Sequence, residues 1–146
     1  DDICIEGMSE PDPEKVKKYR SYFEEHGLSE HIVTYPNPIV IDRDRKLLDG
    51  YISYLIMKEK GFTHAVCLLM EEGEAVKKYV CGVHMPGKNK KKYHWAYPLR
   101  EAVVPGDLLL ADTEYGKKLI KVTGVEMGTT LYVDSLKKIV GVPARI

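Results

Sequence analysis

Two stretches of the chain gather residue types that can do chemistry. The first is GKNKKKYHWAY, Gly87 to Tyr97. Lys88, Lys90, Lys91 and Lys92 concentrate positive charge at an expected hairpin tip, and Tyr93, Trp95 and Tyr97 follow at every second position. In a strand that period places the three rings on one face and His94 on the other. Lysines for phosphates beside rings for base stacking is the arrangement of single-strand nucleic-acid binders. The same letters also suit solvated lysines that stop edge-to-edge pairing and aromatics that fill a small core. The second stretch is LLDGYISYLIMKEKGF, Leu47 to Phe62: an apolar strand end, an Asp-Gly corner and a helix stopped by Gly61. A helix N-terminus offers unpaired N–H groups to an anion, so the Asp49-Gly50 corner is a place where a ligand could sit. Asp49 is expected to cap that helix with its carboxylate.

Other reactive groups are dispersed. Cys4, Cys67 and Cys81 are an odd set with no close pair, which signals neither a disulfide framework nor a four-ligand zinc site. The histidines, His26, His31, His64, His84 and His94, have no paired metal-ligand spacing; Cys81, His84 and His94 are the one combination a hairpin brings near. Glu71, Glu72 and Glu74 read as a charged turn rather than a catalytic pair, which needs unlike environments. No metal, no cofactor and no catalytic residue is expected.

The 146 residues, 44% of them hydrophobic, suffice for one compact domain or two small ones without metal or disulfide support. No apolar run approaches the roughly 20 residues that cross a bilayer, and a soluble, reduced, cytoplasmic protein is expected. Net charge is zero, but unevenly spread: residues 1–82 carry 11 Lys+Arg against 16 Asp+Glu, and residues 83–146 carry 11 against 6. The halves either serve different partners or attract each other, and head-to-tail homo-oligomers are permitted.

The elements that must position these groups follow from punctuation and period. EPDPEKVKKYRSYFEEHGL predicts a helix capped by Asp12, with Pro13 at its first position, Gly27 at its exit and Val16, Tyr19 and Phe23 on its buried stripe. NPIVID predicts a short buried strand, Ile39 to Ile41, and RDRK a turn. On the next helix Tyr51, Ile52, Leu55 and Ile56 share the expected core face, with Ser53 and Met57 turned away. AVCLLM, Ala65 to Met70, predicts a strand buried on both faces, and so a crossover α/β unit. Beyond Tyr79 short β pieces alternate with turns at Pro86-Gly87 and Pro105-Gly106; GDLLLADTEYGKKLIKV reads as a hairpin, and VDSLKKIVG as a short helix capped by Asp134 or Ser135.

NPIVIDRDRKLLDGYISYLIMKEKGF resembles the signature of the ParB/sulfiredoxin-like superfamily, in which a P-I-V-V-D strand leads through a turn to L-x-D-G and a helix. The likeness covers Lys15 to about Met70 and is nearest to small stand-alone ParB-like domains of bacteria and phages. Relatives use this corner to bind and hydrolyse CTP, as a peroxiredoxin-repair thiol site, or in nucleases. Asp49 and Gly50 match the pattern, whereas Tyr51, Ile52 and Ser53 stand where sulfiredoxins keep Cys, His and Arg. The resemblance therefore implies the fold with its catalytic corner lost, Asp49, Gly50, Tyr51 and Ser53 being a degenerate ligand corner. Residues Tyr93 to Val125 are similar to small phage and bacterial β-domains, which implies an SH3-like barrel or a similar sheet.

The expectation is thus an α+β protein: a ParB/sulfiredoxin-like domain over residues 1–78, then a small antiparallel sheet or SH3-like barrel with a short C-terminal helix over residues 79–146. Its expected function is non-catalytic binding of nucleic acid or of a nucleic-acid-handling protein, through Lys88, Lys90, Lys91, Lys92, Tyr93 and Trp95. A phage-encoded inhibitor or modulator such as an anti-CRISPR is one form of this. The alternative is a CTP-binding or CTP-hydrolysing ParB-type enzyme, or a DNA-binding nuclease-like protein.

Overall fold

A computed structural model describes residues 2–71, 76–85, 91–144 and 146. The expected turn at Pro86-Gly87, Lys88 and Lys90, and Glu72 and Glu74, lie outside the described residues. The chain is α+β and divides into two compact units, Asp1–Glu74 and Ala75–Ile146.

In the first unit, helix α1 (Pro13–His26) begins as its sequence dictates. Asp12 accepts a hydrogen bond from the Glu14 N–H at 3.0 Å, Pro13 opens the helix and Gly27 closes it at φ +83°. Tyr19 and Phe23 are buried. Strand β1 (Val40–Ile41) turns through residues 42–46 into the antiparallel β2 (Leu47–Asp49), helix α2 (Tyr51–Glu59) follows, and β3 (Leu68–Leu69) returns parallel to β1. The three-stranded order is β2-β1-β3. α1 packs against α2, where Arg20 pairs with Glu59. Cys4 runs beside the hairpin, donating to the Arg45 carbonyl at 2.8 Å and accepting from Leu47 at 2.9 Å.

Three expectations fail in this unit. The buried face of α2 is Ile52, Ser53, Ile56 and Met57, and Leu55 is only half-buried. Ser53 faces inward because the loop before β1 offers its hydroxyl a buried acceptor, the Asn37 carbonyl at 2.6 Å. Period alone ranks side chains by hydrophobicity and cannot see such a partner. Asp49 does not cap α2: the cap is Gly50, at φ +84°, and the Asp49 carboxylate accepts only from the adjacent Gly50 N–H at 2.8 Å. Finally, AVCLLM is not buried on both faces. β3 is an edge strand of two residues, Leu69 is 51% exposed, and Val66 is also exposed.

The second unit is a five-stranded antiparallel sheet in the order β5-β4-β7-β6-β8, formed by β4 (Val76–His84), β5 (Tyr93–Ala96), β6 (Leu108–Thr113), β7 (Gly116–Thr129) and β8 (Ile139–Gly141). The β6–β7 hairpin sets Leu108 opposite Lys121 and Leu110 opposite Leu119, as the sequence suggests. Gly106 takes the φ of +98° that its Pro-Gly turn requires. The sheet curls until Ala96 of β5 bridges Lys138, immediately before β8. Val80, Trp95, Tyr97, Val103, Leu109, Ile120, Val122 and Ile139 are among the residues that fill its inside. The short helix lies earlier than expected: α3 (Thr130–Asp134) is capped by the Thr129 hydroxyl, so Asp134 and Ser135 end it and the following residues enter β8.

Candidate functional site

The Asp-Gly corner is built for packing. A Cβ on Gly50 would lie 2.2 Å from the Pro38 carbonyl oxygen and 2.6 Å from the Ile39 Cα, so the start of α2 rests directly on the backbone leading into β1. Ser53, expected to turn away from the core face, is fully buried. Tyr51 stacks on Tyr54 with ring centres 6.2 Å apart, and the Asp49 side chain points to solvent. Asp49, Gly50, Tyr51 and Ser53 include no cation to clamp an anion, and the Ser53 hydroxyl is spent on the Asn37 carbonyl.

The aromatic stretch is arranged differently. β5 pairs with β4 along one edge, Trp95 opposite Val80 and Tyr93 opposite Gly82. On its other edge the Ala96 N–H donates to the Lys137 carbonyl at 2.9 Å. Backbone groups alternate along an antiparallel strand. The N–H and C=O of His94 therefore face that same open edge, where no backbone group among the described residues meets them.

A cleft of about 500 Å³ occupies this edge. Its walls come from β4 and β5 (His84, Tyr93, His94, Trp95), the β6–β7 hairpin tip (Thr113, Glu114, Tyr115) and the segment from α3 to β8 (Tyr132, Ser135, Leu136, Lys137), with Lys92 also at its margin. On one side of β5 the His84 ring stands edge-on to Tyr93 at 5.2 Å and to Trp95 at 5.6 Å. On the other, His94 lies 5.0 Å from the Tyr79 ring, and its Nδ1 hydrogen-bonds the Tyr132 hydroxyl. Burial, reinforced by Cys81, Glu126 and Tyr132, pushes the Tyr79 hydroxyl pKa up. Burial first, then Glu126, raises that of the Cys81 thiol against an opposing pull from Lys92.

Of the expected binding residues, Lys92, Tyr93 and Trp95 line this cleft, and the Lys91 ammonium lies 5.3 Å over the Tyr93 ring. Trp95 and Tyr97 are also buried core residues, so the core reading of the aromatics holds for those two. Tyr93 is partly exposed, and Tyr115 is 78% exposed. His84 and His94 project to different sides of β5, and among the described residues no group of three His, Cys, Asp or Glu side chains is placed to hold a metal. Sequence reading missed Tyr115, Tyr132 and Lys137. Tyr115 had a signal, since a ring in the TEYG hairpin tip has no core to enter. Tyr132 had none, because it reaches the cleft only through the unexpected position of α3. No family model, no curated protein and no solved structure matches this chain.

Proposed function

We propose that the protein is a non-catalytic binding module whose second unit grips single-stranded nucleic acid in the cleft along β5. The observation that carries this reading is the meeting, at one open strand edge, of three accessible tyrosines with Lys92 and Lys137. Rings on three sides can stack on bases and the ammonium groups can meet phosphates, while the His94 peptide group offers one donor and one acceptor to a base edge. Glu114 is the single carboxylate in the lining. Lys88 and Lys90 lie in the connection between β4 and β5 and extend the basic stretch in sequence. A protein that mimics or guards such a strand, including a phage inhibitor of the anti-CRISPR type, uses the same surface. The element order of the first unit supports a ParB/sulfiredoxin-like scaffold without a working catalytic corner.

Fluorescence anisotropy with labelled single-stranded oligonucleotides tests this. Binding is expected at low salt, and each phosphate contact removed by changing Lys91, Lys92 or Lys137 to Gln lowers the slope of log affinity against log salt by about 0.7. Tyr115→Ala is expected to cost about 1–3 kcal/mol by loss of stacking. Affinity that ignores both salt and these substitutions refutes the reading. Trp95, the one tryptophan of the chain, lines the cleft and provides an intrinsic reporter of occupancy.

One observation favours a second reading, a CTP-dependent enzyme of ParB type. With Asp49 not capping α2, the first amides of that helix have no side-chain acceptor. Calorimetry with nucleoside triphosphates decides: micromolar binding selective for CTP supports the enzyme, and no binding tighter than about millimolar, a free energy near −4 kcal/mol, rejects it.

A further inference from the structure

The first unit holds a separate cleft of about 410 Å³, between the C-terminal half of α2, the turn before β2, the N-terminal segment and the loop leading to β3. Its floor is apolar: half-buried Ile3, Phe62, Ala65 and Cys67 line it and pack on the buried core residues Ile39 and Met57 beneath. Its margin is basic. Arg45, Lys58 and His64 line it, with Asp2 as the one carboxylate among the described residues.

Local contacts fix each of these three groups. Arg45 has φ +68°, a backbone conformation L residues rarely adopt. It is held there by its N–H on the Asp42 carbonyl at 3.1 Å and by its own carbonyl on the Cys4 N–H at 2.8 Å. His64 has its Nδ1 engaged with the Thr63 hydroxyl at 2.9 Å. Lys58 lies over the Tyr54 ring, 5.8 Å from its centre, on the wall of the same cleft. Arg45 is also close enough to Cys67 to draw its thiol pKa down, against the stronger upward effect of burial.

An apolar floor with a basic margin suits a molecule that is apolar at one end and anionic at the other. We propose that this cleft binds a small organic acid carried on an aromatic body, its acid group between Arg45 and Lys58 and its ring against Phe62 and Tyr54. The site is in the other unit from the β5 cleft and does not depend on the nucleic-acid reading.

Cys67 makes the test local, because it lines the cleft whereas Cys4 and Cys81 do not. The full chain is treated with iodoacetamide at mildly alkaline pH, with and without anilinonaphthalene sulfonate, and alkylation of each cysteine is followed by mass spectrometry. The probe is expected to slow Cys67 selectively. Arg45→Gln combined with Lys58→Gln is expected to raise the probe concentration needed by at least about ten-fold, the scale of a lost charge-assisted pair. Both side chains are at the surface, and circular dichroism confirms that the variant is folded; Lys17→Gln on α1 serves as the control. Three results overturn the proposal: no protection of Cys67 at saturating probe, protection unchanged in the double variant, or equal protection by uncharged phenylnaphthylamine.

Discussion

At Gly50 the backbone angle and the surrounding space make one demand. Alanine there must adopt a left-handed conformation and drive its methyl into the Pro38 carbonyl. Gly50→Ala is therefore expected to destabilise by about 3 kcal/mol or more, combining backbone strain with a forced shift of packed chain, as read by urea unfolding. Three residues on, Ser53→Ala removes the only hydroxyl that reaches the buried Asn37 carbonyl and is expected to cost about 1–3 kcal/mol. Half-buried Cys67 and Cys81 have thiol pKa values raised by burial, so the folded state holds the protonated forms more tightly than the unfolded chain does. Their contribution is complete below the ordinary thiol value of 9.0 and is lost as pH rises through the higher folded values. The melting temperature is accordingly expected to fall in that alkaline window, and to fall less in a Cys67→Ala, Cys81→Ala double variant relative to its own neutral-pH value. The Asp-Gly letters made the corner visible in the sequence, but not its use. Whether a serine meets a ligand or a carbonyl is decided by chain 16 residues away.

Helix α2 shows what a pattern can and cannot rank. Ile56 is 1% exposed whereas Leu55 is half-buried, so Ile56→Ala is expected to cost about 2–5 kcal/mol and Leu55→Ala distinctly less. Equilibrium unfolding of the two variants side by side checks the ordering. The ends of α1 were legible because Asp12, Pro13 and Gly27 act on their own neighbours. The two-sided burial of AVCLLM was not, since that needs a further strand beyond β3, and the sheet stops there with Leu69 exposed. The tyrosine–tryptophan alternation of β5 marked two residues that line the cleft while leaving its far wall unseen. That wall comes from a hairpin tip and a helix end about 20 and 40 residues downstream, brought close by strand order.

Across the whole molecule, each compact unit encloses its own apolar core, Ile39, Ile41, Leu47 and Met57 in the first and the larger group around Trp95 in the second. A fragment beginning at Ala75 is expected to melt cooperatively and to keep the oligonucleotide affinity of the full chain, because all described groups of the β5 cleft belong to it. The −5 and +5 halves of the sequence hinted at two bodies, and the change from helical to strand punctuation put their junction after residue 78, whereas the units divide between Glu74 and Ala75 because β4 already starts at Val76; neither signal could give the strand order β5-β4-β7-β6-β8. Among the described residues no helix is long and apolar enough to cross a membrane. The bridge between Ala96 and Lys138 also orders events during synthesis. The rings and lysines of β4 and β5 leave the ribosome first, yet the surface they contribute to has no far side until Lys137 has emerged about 40 residues later. A nascent chain thus carries these residues for several seconds at ordinary elongation rates before it owns a cleft, whose walls are complete only as the segment leading into β8 is delivered.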